Sequence, residues 1–272
     1  LRALMQMGHA CDKIELIILG GSWTDYPEGY RTWFVSELFR ALNEAPIGAD
    51  VLKERRARYR AAGIDGRDEV LAERTYDIQA AVNDGTLDFN SAIRQLYGAG
   101  SAWEDVASWQ SASMTELAEQ QRINEKADHR VVGLVVETRP ETLDAPTLTC
   151  LRALGCTKVQ IGVQSLRPEV LALNNRTGDE QQLRRAFELL RIFGFKIHTH
   201  FMVNLYGSTI ADDEADYARF VSETAFQPDE VKLYPCVLVE GTGLVEKHAG
   251  GQWQPYAEDE LVELLARDVL AT

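Results

Sequence analysis

The stretch ELIILGGSWTDYP, Glu15–Pro27, holds an apolar run that stops at two glycines, a serine and a tryptophan. The run reads as a buried strand, and a helical pattern takes over at Glu28, so the piece is a strand, a turn and a helix in succession. Two explanations of the glycine pair stand side by side at this level. Residues without a Cβ let a ligand approach main-chain N–H and C=O groups, and they also permit a tight turn into the helix. Neither a G-x-G-x-x-G fingerprint nor a P-loop is present, so the pair alone names no ligand.

Working outward, further β-branched apolar runs bounded by polar turns predict strands near Val131–Glu137, Lys158–Gln164, Lys196–Met202 and Val231–Tyr234, besides Ile14–Gly20. Each reads as nearly continuous apolar, the pattern of parallel strands covered on both faces. Helical patterns lie between them at Glu28–Leu42, Ala145–Leu154, Asp179–Phe193 and Asp212–Thr224, with Gly194 placed as a C-terminal cap, and a last helix at Glu258–Leu270. Strand and helix alternate from Val131 onward, and right-handed crossovers wind such units into a parallel sheet or barrel. The fold class expected is α/β. Between Ala45 and Ala127 the pattern changes to charged, alanine-rich helix, as in VLKERRARYRAAG (Val51–Gly63) and MTELAEQQRINEKAD (Met114–Asp128), which marks a helical insertion.

The chain has 272 residues, 45% hydrophobic and 26% charged, enough for a sizeable core. No run approaches the length of a membrane span, and the opening residues lack the apolar core of a signal peptide, so a cytoplasmic protein is expected. Cys11, Cys150, Cys156 and Cys236 show no C-x-x-C pairing, which leaves them as buried small hydrophobes and writes no metal motif. The net charge of −14 repels polyanions unless basic groups gather on one face. One such group is KERRARYR, Lys53–Arg60, which otherwise reads as a solvated helix face.

In parallel α/β architectures the chemistry sits where strands deliver their C-terminal ends. Here those ends are unusually polar. The first delivers Gly20, Gly21 and Ser22. The second delivers Glu137 and Arg139, a carboxylate suited to sugar hydroxyls or an amine, or simply an ion pair within the sequence. The third delivers Gln164, whose donors and acceptors suit a vicinal diol, and the following LNNRTGD places Arg176 before a helix, as a carboxylate fork or an ordinary exposed arginine. The fourth carries His198 and His200 on one face, a spacing compatible with metal, though no further ligand is apparent. The fifth carries Lys232 and Tyr234 on one face. Five polar-tipped strands together argue for a small-molecule site.

Five ordered blocks, KIELIILGGSWTDYPEGYRTWFV, NEKADHRVVGLVVETRPE, GCTKVQIGVQSLRPEVL, HFMVNLYGST and DEVKLYPCVLVEGTGL, resemble the radical S-adenosylmethionine (SAM) domain of the Elongator catalytic subunit family, in its bacterial and archaeal forms. The resemblance implies a partial (β/α) barrel with a helical insertion at about 45–127. It also implies carboxymethylation of the tRNA wobble uridine at C5, using acetyl-CoA, SAM and a [4Fe–4S] cluster. By the same resemblance Gly20, Gly21 and Ser22 meet the methionyl amine of SAM, Glu137 and Gln164 hold the amine or ribose, and Arg176 clamps the carboxylate. Asn204 falls on the adenosine side, and Lys232 and Tyr234 lie in a K-x-Y-P block near the acetyl group or SAM. Expected partners are tRNA, a second copy of the chain or Elongator-like subunits, and no membrane.

The family's three cluster cysteines would lie before the first block and its acetyltransferase domain after Thr272; neither is in this chain. An internal fragment, inactive alone and with no metal ligands of its own, is the resulting expectation. Two other readings remain open. The GVQS block is also similar to the oxygen-independent coproporphyrinogen oxidases, and a cluster-free scaffold that binds SAM or a partner protein is the reading from outside enzymes.

Overall fold

The computed structural model describes residues 1–45, 48–98, 100–176 and 178–272. Among these residues, five strands, β1 (Lys13–Ile18), β2 (Arg130–Thr138), β3 (Lys158–Gln164), β4 (Lys196–Val203) and β5 (Glu230–Pro235), form one sheet in the order β1-β2-β3-β4-β5. They run parallel and the sheet curls into a half-barrel, the partial (β/α) architecture expected. By internal contacts the chain divides into two units, one of Leu1–Lys13 and Pro27–Arg130, the other of Ile14–Tyr26 and Val131–Thr272.

The first unit is helical: α1 (Arg2–Gln6), α2 (Glu28–Asn43), α3 (Ala49–Ala61), α4 (Asp68–Asn83), α5 (Phe89–Tyr97), α6 (Ala102–Ala107) and α7 (Met114–Asn124). It is wider than the segment 45–127 that composition singles out, because α2 packs along α7. Asn43 donates to the Gln120 carbonyl at 2.9 Å, and Asn124 donates to the Asn43 side chain at 2.8 Å and to the His129 carbonyl at 3.0 Å. Buried amides satisfied in this way fix the register of the two helices. A capping box of Ser113 and Glu116 starts α7.

The second unit carries the sheet with α8 (Ala145–Ala153), α9 (Pro168–Leu173), α10 (Glu180–Ile192), α11 (Ile210–Ser222), α12 (Gly243–Ala249) and α13 (Glu258–Ala271). The short α9 and α12 were not foreseen, since six or seven residues are too few for a hydrophobic period to show. Leu134, Val136, Val159, Ile161, Ile197, Phe201 and Val203 point from one face of the sheet into the core with Leu148, Leu151, Phe187, Leu190 and Phe220. Phe220 is fully buried and stacks on Phe201 with ring centres 5.1 Å apart.

The opposite face corrects the expectation that both faces are apolar. Its register rows read Glu137, Gln160, His198 and Glu230, then Gly162, His200 and Lys232. β1 and β5 alternate between more and less exposed positions rather than being covered throughout. The reason is geometric: helices cover the convex face of a curled sheet, whereas a half-barrel has no opposing strands to fill its concave face with branched apolar side chains. Lower in this face, Lys158 bridges Glu230 at 2.8 Å and Glu15 at 3.2 Å, which holds its ammonium charged.

On α13 the Asp268 side chain is 2% exposed, and its Oδ2 has no hydrogen-bond partner. Burial first, then the charges of Glu214 and Asp213, push its pKa up to about 6. Between the ordinary aspartate range and pH 6 the folded chain therefore binds more protons than the unfolded one, and stability falls as pH rises through that window. Asp268→Asn is expected to stabilise the barrel unit by about 1–2 kcal/mol at pH 7.5. The gain shrinks to nothing near pH 4. Urea denaturation at both pH values checks it, and a gain that persists at pH 4 would refute the titration.

Candidate functional site

β1 ends in Gly20 and Gly21 at φ +113° and +80°, conformations that side-chain-bearing residues rarely adopt. The space where a Cβ would project from either is open, so the requirement comes from the backbone and not from a crowded neighbour. The turn leads into a helical turn at Trp23–Asp25, where the Thr24 hydroxyl lies 2.6 Å from that of Thr138 and 2.9 Å from that of Thr142. This hydroxyl triangle ties the glycine turn to the end of β2, next to Glu137.

Glu137 does not pair with Arg139, whose guanidinium faces Asp25 at 3.2 Å and Glu141 at 3.6 Å. Instead its Oε1 lies 3.6 Å from Nδ1 of His200 on β4, a charge beside the ring rather than a hydrogen bond. His200 is 5% exposed and is held neutral: burial first, then the nearby Lys232 and His198, lower its pKa to about 4. His198 points to Glu230 at 3.2 Å. Among the described residues no three His, Cys, Asp or Glu side chains gather to hold a metal ion.

β3 ends irregularly. The register with β4 shifts between Gly162 and Gln164, and Gln164 sits at φ +68°. Such a bulge re-aims a side chain, and an unfavourable backbone angle persists only where its surroundings hold it. A Cβ on Gly162 would stand 2.9 Å from Nε2 of Gln164 and 3.1 Å from Nη2 of Arg176, so only glycine lets both side chains fold over the strand here. Arg176 donates through Nη2 to the Gly162 carbonyl at 3.0 Å, which leaves the rest of its donor fork for an anion. Gln164 lies beside Tyr234 on β5; burial and then the Glu137 charge push the tyrosine hydroxyl up in pKa, against a smaller opposing effect of Gln164. The Lys232 ammonium lies 5.7 Å from the Tyr234 ring centre. Glu137, Gln164, Arg176, Lys232 and Tyr234 are thus brought to one concave surface.

Asn204, at the end of β4, is fixed through its main chain: its N–H donates to Asp213 at 2.6 Å and its carbonyl accepts from the Trp253 indole at 2.9 Å. It is buried at φ +62° and lies beside the cluster rather than within its hydrogen bonds. Two carboxylates one helical turn apart on α11 do this anchoring. Asp213 takes the end of β4, together with the Ser208 and Tyr256 hydroxyls, and Asp216 accepts from the Ser165 hydroxyl at 2.6 Å and the Leu166 N–H at 3.0 Å, just past Gln164. The sequence reading missed both. Their signal was available: acidic residues three apart on the apolar stripe of a helix need buried donors.

The concave surface offers a glycine turn with open space beside it, a fork of arginine donors and two buried polar atoms without partners, Oε1 of Gln164 and Nε2 of His200. Such a site suits a small zwitterionic molecule rich in donors. Residues 111–220 match the Radical SAM superfamily, and the curled parallel half-barrel is the fold of that class. Within that class the chain is 29% identical, over 97% of its own length, to the tRNA uridine(34) acetyltransferase of Methanocaldococcus infernus. It is 26% identical, again over 97%, to mouse Elongator complex protein 3. It spans 37% and 36% of those relatives' lengths. Among solved structures, the archaeal Methanocaldococcus infernus Elp3 with an N-terminal deletion superimposes with a TM-score of 0.69 at 28% identity, over 98% of this chain and 47% of that one.

The basic run Lys53–Arg60 falls on α3. Several of its charges are engaged within the helical unit: Arg55 binds Glu44 at 2.9 Å, Arg58 stacks over Trp109 at 4.2 Å and Arg60 faces Asp65 at 3.7 Å. Lys53 and Arg56 are exposed. No helix among the described residues is long and apolar enough to cross a membrane.

Proposed function

We propose that this chain is the SAM-binding barrel of an enzyme that modifies the tRNA wobble uridine, with 45–127 as a helical insertion in it. The observation that carries the reading is the joint presence of an unpartnered Gln164 carbonyl at the end of β3 and an open glycine turn after β1, at the same end of the sheet, in a chain similar to relatives whose names specify tRNA uridine(34). The Gly20, Gly21 and Ser22 main chain takes the methionyl amine, Arg176 takes the carboxylate, and Glu137 and Gln164 take the amine and ribose hydroxyls. Asn204 borders the adenosine, while Lys232 and Tyr234 stand on the side where an acetyl group or the base would enter. Bound at these residues, SAM would be the source of radical chemistry of the kind that could activate an acetyl group drawn from acetyl-CoA, given an external one-electron donor of the [4Fe–4S] type. The protein's part is to orient its ligand and exclude water.

The cysteines of this chain do not fit a cluster: Cys11 and Cys156 are buried, the Cys156 thiol is pushed up to about 12 by burial, and no three thiols gather among the described residues. Isothermal titration of the chain with SAM tests the reading, which saturable 1:1 binding supports. Absence of heat at millimolar SAM with the fold intact by circular dichroism would reject it.

For tRNA, the exposed pair Lys53 and Arg56 is the part of the basic run free of the ion pairs described above. Lys53→Glu with Arg56→Glu is expected to weaken tRNA binding by about tenfold and to lower the slope of log affinity against log salt by about 2. Filter binding across 50–200 mM salt measures both. An unchanged slope would remove α3 from the tRNA surface.

A further inference from the structure

His200 and Lys232 are register partners on adjacent strands, so their side chains leave the concave face side by side. One is a neutral ring whose Nε2 is buried and has no partner; the other is an ammonium close enough to disfavour charge on that ring. Glu137 faces the Nδ1 side. A carboxylate there favours the tautomer with the proton on Nδ1, which leaves Nε2 as an acceptor. The row continues to Gly162, which adds no side chain. What stands on the wall is an acceptor beside a donor.

A buried acceptor without a partner costs about 1–3 kcal/mol, and one set next to a donor is complementary to a ligand edge with the opposite order. An N–H beside a carbonyl has that order. We propose that His200 and Lys232 read an imide edge, His200 accepting its N–H through Nε2 and Lys232 donating to the neighbouring carbonyl, as the Watson–Crick edge of a uracil base offers. The pairing rejects cytosine, which presents an unprotonated ring nitrogen to His200 and would leave both acceptors facing each other. Glu137 is the positioning residue, since it holds the imidazole tautomer, and Tyr234, whose ring packs edge-on at 6.1 Å from that of His200, fixes the ring plane. His200, weighed in the sequence only as half of a metal pair, thereby acquires a role in specificity. The inference rests on the proposed tRNA-uridine reading and shares Glu137 with the SAM contacts proposed there, whereas His200 is assigned to none of them.

The test uses the full chain with uridine, 3-methyluridine, cytidine and, separately, SAM as probes, followed by the imidazole ¹⁵N resonances of His200 and by titration calorimetry. In the wild type, Nε2 should show the chemical shift of an acceptor and move on adding uridine. Uridine should bind at least about fivefold tighter than 3-methyluridine or cytidine. His200→Phe should abolish that discrimination and His200→Gln, which keeps an acceptor, should retain most of it. Lys232→Met should weaken uridine binding while keeping the preference over 3-methyluridine. Thermal denaturation shows that each variant is folded. Discrimination unchanged in His200→Phe overturns the inference, as does an Nε2-protonated tautomer. Loss of SAM affinity alone in His200→Phe would assign the acceptor to the ribose diol and also overturns it. If the wild type binds SAM but not uridine, the imide inference falls and the SAM reading stands; binding of neither probe sinks both.

Discussion

Phe220→Ala should destabilise the barrel unit by about 3–5 kcal/mol, the largest effect expected of a single change. The side chain is fully buried, stacks on Phe201, and lies 5.8 Å and 6.2 Å by ring centre from Phe226 and Phe187. Its removal leaves a void where α11 meets β4, and neighbours locked by one another's rings cannot collapse into it without leaving their rotamers. A shift in melting temperature of about 10 °C is the expected size in a unit of this length. Phe220→Leu, which fills most of the volume, should cost about 1–2 kcal/mol. Urea unfolding followed by circular dichroism measures both, and an alanine variant within 1 kcal/mol of the parent would show that the aromatic cluster does not hold the sheet.

Gln164→Ala carries the largest expected effect on binding. The change removes the amide beside Tyr234 and the buried Oε1 that has no partner within the chain. SAM affinity should drop at least about tenfold, some 1.4 kcal/mol, with the fold retained because Asp216 still anchors the following turn. Titration calorimetry with SAM reads it. Equal affinity in parent and variant would displace Gln164 from the ribose contact and with it the proposed arrangement of the site. Asp216→Ala serves as the complementary variant: it leaves Gln164 in place but frees the chain behind it, so a parallel loss of SAM binding would show that the orientation of Gln164 is what matters.

Much of the architecture was legible from local pattern. The five strands and the helices after Pro27, Asp144, Asp179, Thr209 and Ala257 fall within a few residues of their expected bounds, because apolar runs and capping residues act over one or two turns of chain. Gly194 caps α10 at φ +74°, as its position past the last apolar residue implied. Less legible was the split of faces. Lys158, Gln160, His198, His200 and Lys232 interrupt strands whose average is apolar, and an average hides which face the exceptions share.

The sequence by itself determined the alternation of strand and helix, the parallel arrangement that follows from it, and the polar strand tips that mark one end of the barrel; these depend on neighbours in the chain. Only the tertiary structure decided that Glu137 turns from Arg139 to His200, that Gly162 clears room for Gln164 and Arg176, and that Asp213 and Asp216 pin the ends of β3 and β4. Those facts depend on register between strands far apart in sequence. A shift of one residue would turn Glu137, His200 and Lys232 to the opposite face.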